Sequence, residues 1–105
     1  MAFYNRLVIL DGDAEVIPGV RVILTPGHTP GSQAVLVSTE VGVHAIAGDT
    51  INLYDSIESD PPWPPGIFYD LEAFYASAAR LRREAQIILP GHDVKVLGRS
   101  FPENI

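Results

Sequence analysis

Thr25-Pro26-Gly27-His28-Thr29-Pro30-Gly31-Ser32 is the stretch on which the reading of this chain turns. Two Pro-Gly pairs enclose one histidine, so the backbone here is a stiff, turn-rich loop, neither helix nor strand. Proline fixes φ and removes a donor, while glycine permits tight turns and close approach of other groups. Such a loop holds the imidazole of His28 with little conformational freedom left to lose. The same grammar returns at Leu89-Pro90-Gly91-His92-Asp93, and between the two lies Ala47-Gly48-Asp49-Thr50. In each place a metal-ligating residue type follows a glycine, where an apolar segment meets a loop.

The segments around these loops read as short strands and one helix. Val20-Arg21-Val22-Ile23-Leu24 alternates and then becomes continuously apolar, as a strand with one buried end does. Upstream, Arg6 to Leu10 is a β-branched run closed by the turn Asp11-Gly12-Asp13, with Ala14 to Ile17 expected as its hairpin return. Gln33 to Thr39 predicts a further strand, Glu40-Val41-Gly42 a turn, and Val43 to Ala47 the strand that delivers Asp49. His44 lies inside that strand without a Pro-Gly loop and reads as an ordinary strand histidine.

From Ile51 to Tyr69 the periodicity fails, and Asp60-Pro61-Pro62-Trp63-Pro64-Pro65-Gly66 blocks both helix and central strand. Its apolar residues favour an ordered loop packed over something, with Trp63 as a hydrophobic plug. Asp70 then caps a helix over Leu71 to Glu84, with Glu72 in the first turn. Leu71, Phe74, Tyr75, Ala78 and Leu81 share one face. Arg80, Arg82 and Arg83 read as a solvated helix end. Gln86 to Leu89 is a short buried strand carrying the His92 loop, and Val94 to Leu97 is expected as a final edge strand.

At 105 residues, 47% of them hydrophobic, the chain suits one small domain with a core. The net charge of -6 argues against nucleic acid or an anionic membrane as partner. The absence of cysteine excludes a disulfide framework, a thiolate cage and a thiol nucleophile. Met1 to Arg6 lacks the pattern of a signal peptide, and the apolar runs are too short to span a bilayer, so a cytoplasmic protein is expected.

Two imidazoles and one carboxylate make a borderline-hard donor set suited to zinc, iron or manganese. The separations of His28, Asp49 and His92 are too long for one helix or hairpin. These residues converge only if several strand ends meet along one rim of a sheet.

The three motifs, in this order, resemble the third, fourth and fifth metal motifs of the metallo-β-lactamase superfamily, and most nearly its N-acyl-homoserine lactonase-like metallohydrolases. The resemblance covers essentially the whole chain. It implies an α+β fold, mostly antiparallel sheet with one main helix on one face, equivalent to half of a four-layer αββα sandwich. It also implies metal roles: His28 as the third histidine of a first site, Asp49 as the carboxylate bridging two metals, and His92 completing a second site. In such enzymes a hydroxide activated by two zinc ions attacks a carbonyl. Tyr54 is the candidate for the tyrosine that lactonases place beside the substrate carbonyl.

The family's leading motif, His-x-His-x-Asp-His, has no counterpart here, since the chain holds three histidines and none has that spacing. Residues 1–105 are therefore expected to form a single domain resembling the C-terminal half of the fold, inactive alone, with zero or one zinc instead of two. A half sandwich exposes an apolar sheet face, so a homodimer or a complementary N-terminal half is the expected partner. The implied chemistry is lactone or ester hydrolysis. The alternatives are a non-catalytic metal-binding or scaffold domain and a truncated remnant stabilised by dimerisation.

Overall fold

A computed structural model of the chain describes residues 8–97. Five strands form one sheet: β1 (Ala14–Ile17), β2 (Val20–Leu24), β3 (Gln33–Thr39), β4 (Gly42–Ile46) and β5 (Ile87–Leu89), in that spatial order. The first four pair antiparallel, and β5 pairs parallel to β4. A parallel neighbour needs a crossover. Here the crossover carries α1 (Tyr54–Glu58) and α2 (Leu71–Glu84).

Strand direction positions everything that follows. β3 is antiparallel to both β2 and β4, so β2 and β4 run the same way, and β5 joins them. The C-terminal ends of β2, β4 and β5 therefore share one rim of the sheet. His28 follows β2, Asp49 follows β4 and His92 follows β5.

The core lies between the sheet and α2. Leu36 and Ala45 are paired across the strands, as are Ile23 and Ala34, and all four are buried on the face that meets Phe74, Ala78 and Leu81 of the helix. The i, i+4, i+7 spacing of those helix residues makes one stripe. Removing Phe74 alone from water is worth about 2–3 kcal/mol. The helix starts where its sequence says it should: the Asp70 carboxylate accepts the Ala73 N–H at 3.0 Å. Leu71 and Tyr75, expected on the buried stripe, lie at its rim, 39% and 37% exposed, and Ser77 is buried instead.

The opposite sheet face is apolar and partly open. Val22, Val35 and Ile46 lie side by side on it, and Ile46 is 48% exposed.

Four local expectations fail for identifiable reasons. β1 pairs with β2, not with the Arg6–Leu10 run; Arg6 and Leu7 lie outside the described residues, and Val8 to Leu10 form no strand. The turn between the paired strands is instead Pro18-Gly19, with Gly19 at φ +84. Val94–Val96 is a 3-10 turn, because the Asp93 carboxylate caps it by accepting the Lys95 N–H at 2.9 Å. Trp63 is no plug: it is 54% exposed, and Pro65 is the buried residue of that loop.

The helix arginines are also not simply solvated. Arg80 donates to Asp13 through Nη2 at 2.5 Å and to Glu84 through Nε at 2.5 Å, while Arg21 reaches Glu84 at 3.3 Å. The Asp13 carboxylate accepts the Leu24 N–H at 2.8 Å, so the network fastens β1, β2 and α2 together. Arg82 donates to the Ile57 and Ser59 carbonyls and ties α2 to the end of α1.

Hydrogen bonds from Arg80, before all other causes, hold the carboxyls of Asp13 and Glu84 below their ordinary values of 3.8 and 4.5. Bonds to Asp13 and then Glu84 raise the Arg80 guanidinium in turn. A depressed folded-state pKa gives stability that is present above the ordinary value and lost as pH falls through the folded one. The pairs are partly exposed, so screening limits their worth to about 1 kcal/mol or less. Arg80→Ala should therefore lower the thermal midpoint at pH 7 by a few degrees, and the gap to wild type should close as the pH is taken down through the carboxylate range. Thermal unfolding across that range measures both.

Candidate metal centre

The His28 loop is built from its own hydrogen bonds. The Thr25 N–H donates to the Ser32 carbonyl at 2.8 Å, closing the neck, and the Thr29 and Ser32 hydroxyls meet at 2.7 Å inside it. Gly27 sits at φ +147, and a Cβ there would fall 2.7 Å from the Phe74 backbone. Only glycine allows this approach. Its carbonyl accepts the N–H groups of Tyr69 and Asp70, and Ser77 donates to the Pro26 carbonyl at 2.7 Å. The loop is thus seated on the first turns of α2.

Asp49 lies in a 3-10 turn, Gly48–Thr50, directly after β4. The His92 loop presses against that turn backbone to backbone. A Cβ on Gly91 would stand 2.3 Å from the Gly48 carbonyl oxygen, so no side chain fits. Further on, Gly91 N–H donates to Ile51 O at 2.9 Å and His92 N–H to Asn52 O at 3.0 Å. The Asp93 carboxylate accepts the Tyr54 N–H at 2.9 Å and completes the seam. The glycine before each candidate ligand thus has a packing reason in two of the three loops.

The side chains converge on one carboxylate. His92 Nε2 is 2.5 Å from Asp49 Oδ1, and His28 Nε2 is 3.7 Å from Asp49 Oδ2. Each histidine takes a different carboxylate oxygen. On the far side of its ring, His28 Nδ1 is 2.6 Å from the Ile67 carbonyl. A carbonyl only accepts, so Nδ1 carries a proton, and Nε2 is the ring nitrogen turned toward Asp49. That is the orientation in which a second partner fixes a ligating imidazole. His92 Nε2 donates to the carboxylate and would have to give up that proton to ligate.

The donor chemistry fits a metal, and the number and spacing do not yet close a centre. Among the described residues no group of three or more His, Cys, Asp or Glu is arranged as a ready cage. Two donors sharing one zinc at 2.0–2.2 Å stand roughly 3.3 Å apart in a tetrahedral site, further than His92 and Asp49 do here. The side chains of Asp49 and His92 are 51% and 64% exposed, so small rotations suffice to part them.

Tyr54 opens α1 and is buried, 7% exposed, with its backbone N–H in the Asp93 seam. His44 is half-buried in β4, its Nδ1 3.4 Å from the Thr39 hydroxyl, away from the convergence. The sequence reading missed α1, the Asp93 seam, the Ile67 carbonyl and two buried hydroxyls, Thr25 and Thr50. Asp93 had a local signal, since it adjoins His92; the Ile67 contact is a backbone atom and had none.

Residues 2–92 match the metallo-beta-lactamase superfamily. The chain belongs to this superfamily. It is 35% identical over 104 residues to an N-acyl homoserine lactonase of Bacillus cereus, covering 92% of this chain and 40% of that protein. It is likewise 35% identical over 75 residues to the metallo-beta-lactamase domain-containing protein 1 of Xenopus laevis, covering 70% of this chain and 30% of that one. In structure it is similar to an N-acyl homoserine lactone hydrolase with the product N-hexanoyl-L-homoserine bound at its catalytic metal center. There the TM-score is 0.71 and the identity 34%, over 93% of this chain and 41% of the other. A probable metal-dependent hydrolase from Staphylococcus aureus shares the fold at 18% identity and a TM-score of 0.72, over 87% of this chain and 34% of that one. The chain thus spans about 40% of the length of the lactonases it matches. Among its described residues no helix is long and apolar enough to cross a membrane.

The seam between the two superfamily motifs predicts the effect of Gly91→Ala. Overpacking against the Gly48 carbonyl should cost about 1–3 kcal/mol and push the His92 ring off Asp49. Urea unfolding reads the first effect, and nuclear Overhauser contacts between the His92 ring and the Asp49 methylene read the second.

Proposed function

We propose that this chain supplies one half of a zinc-dependent hydrolase centre acting on lactones or related esters, with His28, Asp49 and His92 as its metal ligands. The observation that carries this reading is the sharing of one carboxylate: His28 and His92 address opposite oxygens of Asp49, as a bridging acid between two sites requires. The likeness to N-acyl homoserine lactonases supports the substrate class. When bound, zinc supplies Lewis-acid polarisation of a carbonyl and lowers the pKa of water. In the net reaction water adds across the ester C–O bond, its hydroxyl going to the acyl carbon and its proton to the departing alcohol. The Ile67 carbonyl holds the His28 tautomer, and the Asp93 seam holds the His92 loop against the Asp49 turn.

Three donors leave the centre dependent on a partner, either a complementary N-terminal half or a second copy. The apolar sheet face supports the place where it would sit. Ile46 is three residues from Asp49 and 48% exposed, so a surface that covers it also reaches the rim that carries the ligands. A non-catalytic metal-binding domain is the second reading, since His28, Asp49 and His92 with one water would make up a single four-coordinate site.

Elemental analysis and native mass on one purified sample test the proposal. One zinc per chain, lost in His28→Ala, supports the ligand assignment, and turnover of an acyl-homoserine lactone on adding a complementary half supports the hydrolase. Zinc without turnover in any assembled form favours the binding domain. A metal-free chain unaffected by alanine at all three ligands overturns both.

A further inference from the structure

The two most buried hydroxyls near the rim are Thr25, 0% exposed, and Thr50, 1% exposed. Their Oγ1 atoms are 2.9 Å apart, and Thr50 Oγ1 is 3.2 Å from the Thr25 carbonyl. Because a carbonyl only accepts, the Thr50 proton is committed to it. The Thr25 hydroxyl must then donate to Thr50 Oγ1. One side chain thus bonds both the backbone and the side chain of the other, and the direction of each proton is set.

Their places in the chain give this pair a consequence. Thr25 is the neck of the His28 loop, where its N–H closes onto Ser32. Thr50 is the residue after Asp49, in the same 3-10 turn. We infer that Thr25 and Thr50 are positioning residues that set the His28 loop against the Asp49 turn, so that His28 Nε2 and Asp49 Oδ2 face one another. The inference rests on the proposed ligand roles. Neither threonine needs to touch a metal; they act through the backbone of the two loops. A hydroxyl pair suits this role better than apolar packing. Its bonds are directional, and breaking one while leaving its partner buried costs about 1–3 kcal/mol.

Thr50→Val keeps the side-chain shape and removes the hydroxyl, stranding the buried Thr25 donor and carbonyl. Thr50→Ser keeps the hydroxyl. The double variant Thr25→Val/Thr50→Val removes both hydroxyls together, which spares the fold the stranded donor should Thr50→Val alone not fold. The 105-residue chain and these variants are titrated with Co(II), and cross-relaxation between the His28 ring and the Asp49 methylene is recorded without metal. The expected result is a loss of Co(II) affinity of about 10–100-fold in the valine variants, as for other partners that orient metal ligands. Their His28–Asp49 cross-relaxation should fall, with Thr50→Ser near wild type in both readouts. Valine variants that fold, bind Co(II) as wild type does and keep the cross-relaxation overturn the inference. Should wild type take up no Co(II), the ligand assignment falls, and the cross-relaxation alone then decides for or against the positioning pair.

Discussion

Three strands pointing the same way are the constraint on which the rest of this structure depends. Were β5 antiparallel to β4, the residues after it would leave from the far rim, and His92 would lie a full strand length from Asp49. The parallel pairing is what forces the long crossover, and the crossover is why α2 exists where it does. Once α2 lies across the sheet, it serves a second purpose. Phe74 and Ser77 form the seat of the His28 loop, so the element that completes the core also fixes the first candidate ligand.

How much of this could be read from residues alone varies with the physics involved. The helix over Leu71–Glu84 was legible to its ends because capping by Asp70 and a helical apolar stripe are local and redundant. The glycine-preceded ligands were legible as a pattern, and the reason for two of them is now physical: a backbone lies where a Cβ would go. α1 was not legible, since five residues, Tyr54–Glu58, give barely more than one turn of periodicity. Val94 to Leu97 misled because two β-branched residues flanking a lysine look like a strand, while the deciding contact is the carboxylate of the residue before them. Arg80 misled for the opposite reason. Its partner Asp13 is 67 residues away, and no helix-local rule reports it.

The candidate centre shows the same division between local and distant causes. Residue types and spacing nominate His28, Asp49 and His92, yet their meeting depends on sheet direction. The tautomer of His28 depends on a carbonyl 39 residues away. Family resemblance carries the same information in another form, because it imports a known topology along with the motifs. It does not by itself report the ties among these residues, such as the Thr25–Thr50 hydroxyl pair or the contact between Gly91 and Gly48.

Those ties divide the three side chains into unequal classes. His28 is held at both ends, its loop by α2 and its ring by Ile67, and its side chain is only 24% exposed. His92 has a fixed backbone, but its ring, 64% exposed, is held by Asp49. Of the two imidazoles on this rim, one is already oriented by a second partner and the other is bonded to the carboxylate. Freezing an exposed side chain costs about 0.5–1.5 kcal/mol, and His28 has already met that cost during folding. In the proposed centre His28 would therefore be the ligand held ready, and His92 the one that must first part from the carboxylate. The rigid half of the rim lies with the helix and the adaptable half with the His92 loop, and the Asp49 carboxylate stands between them.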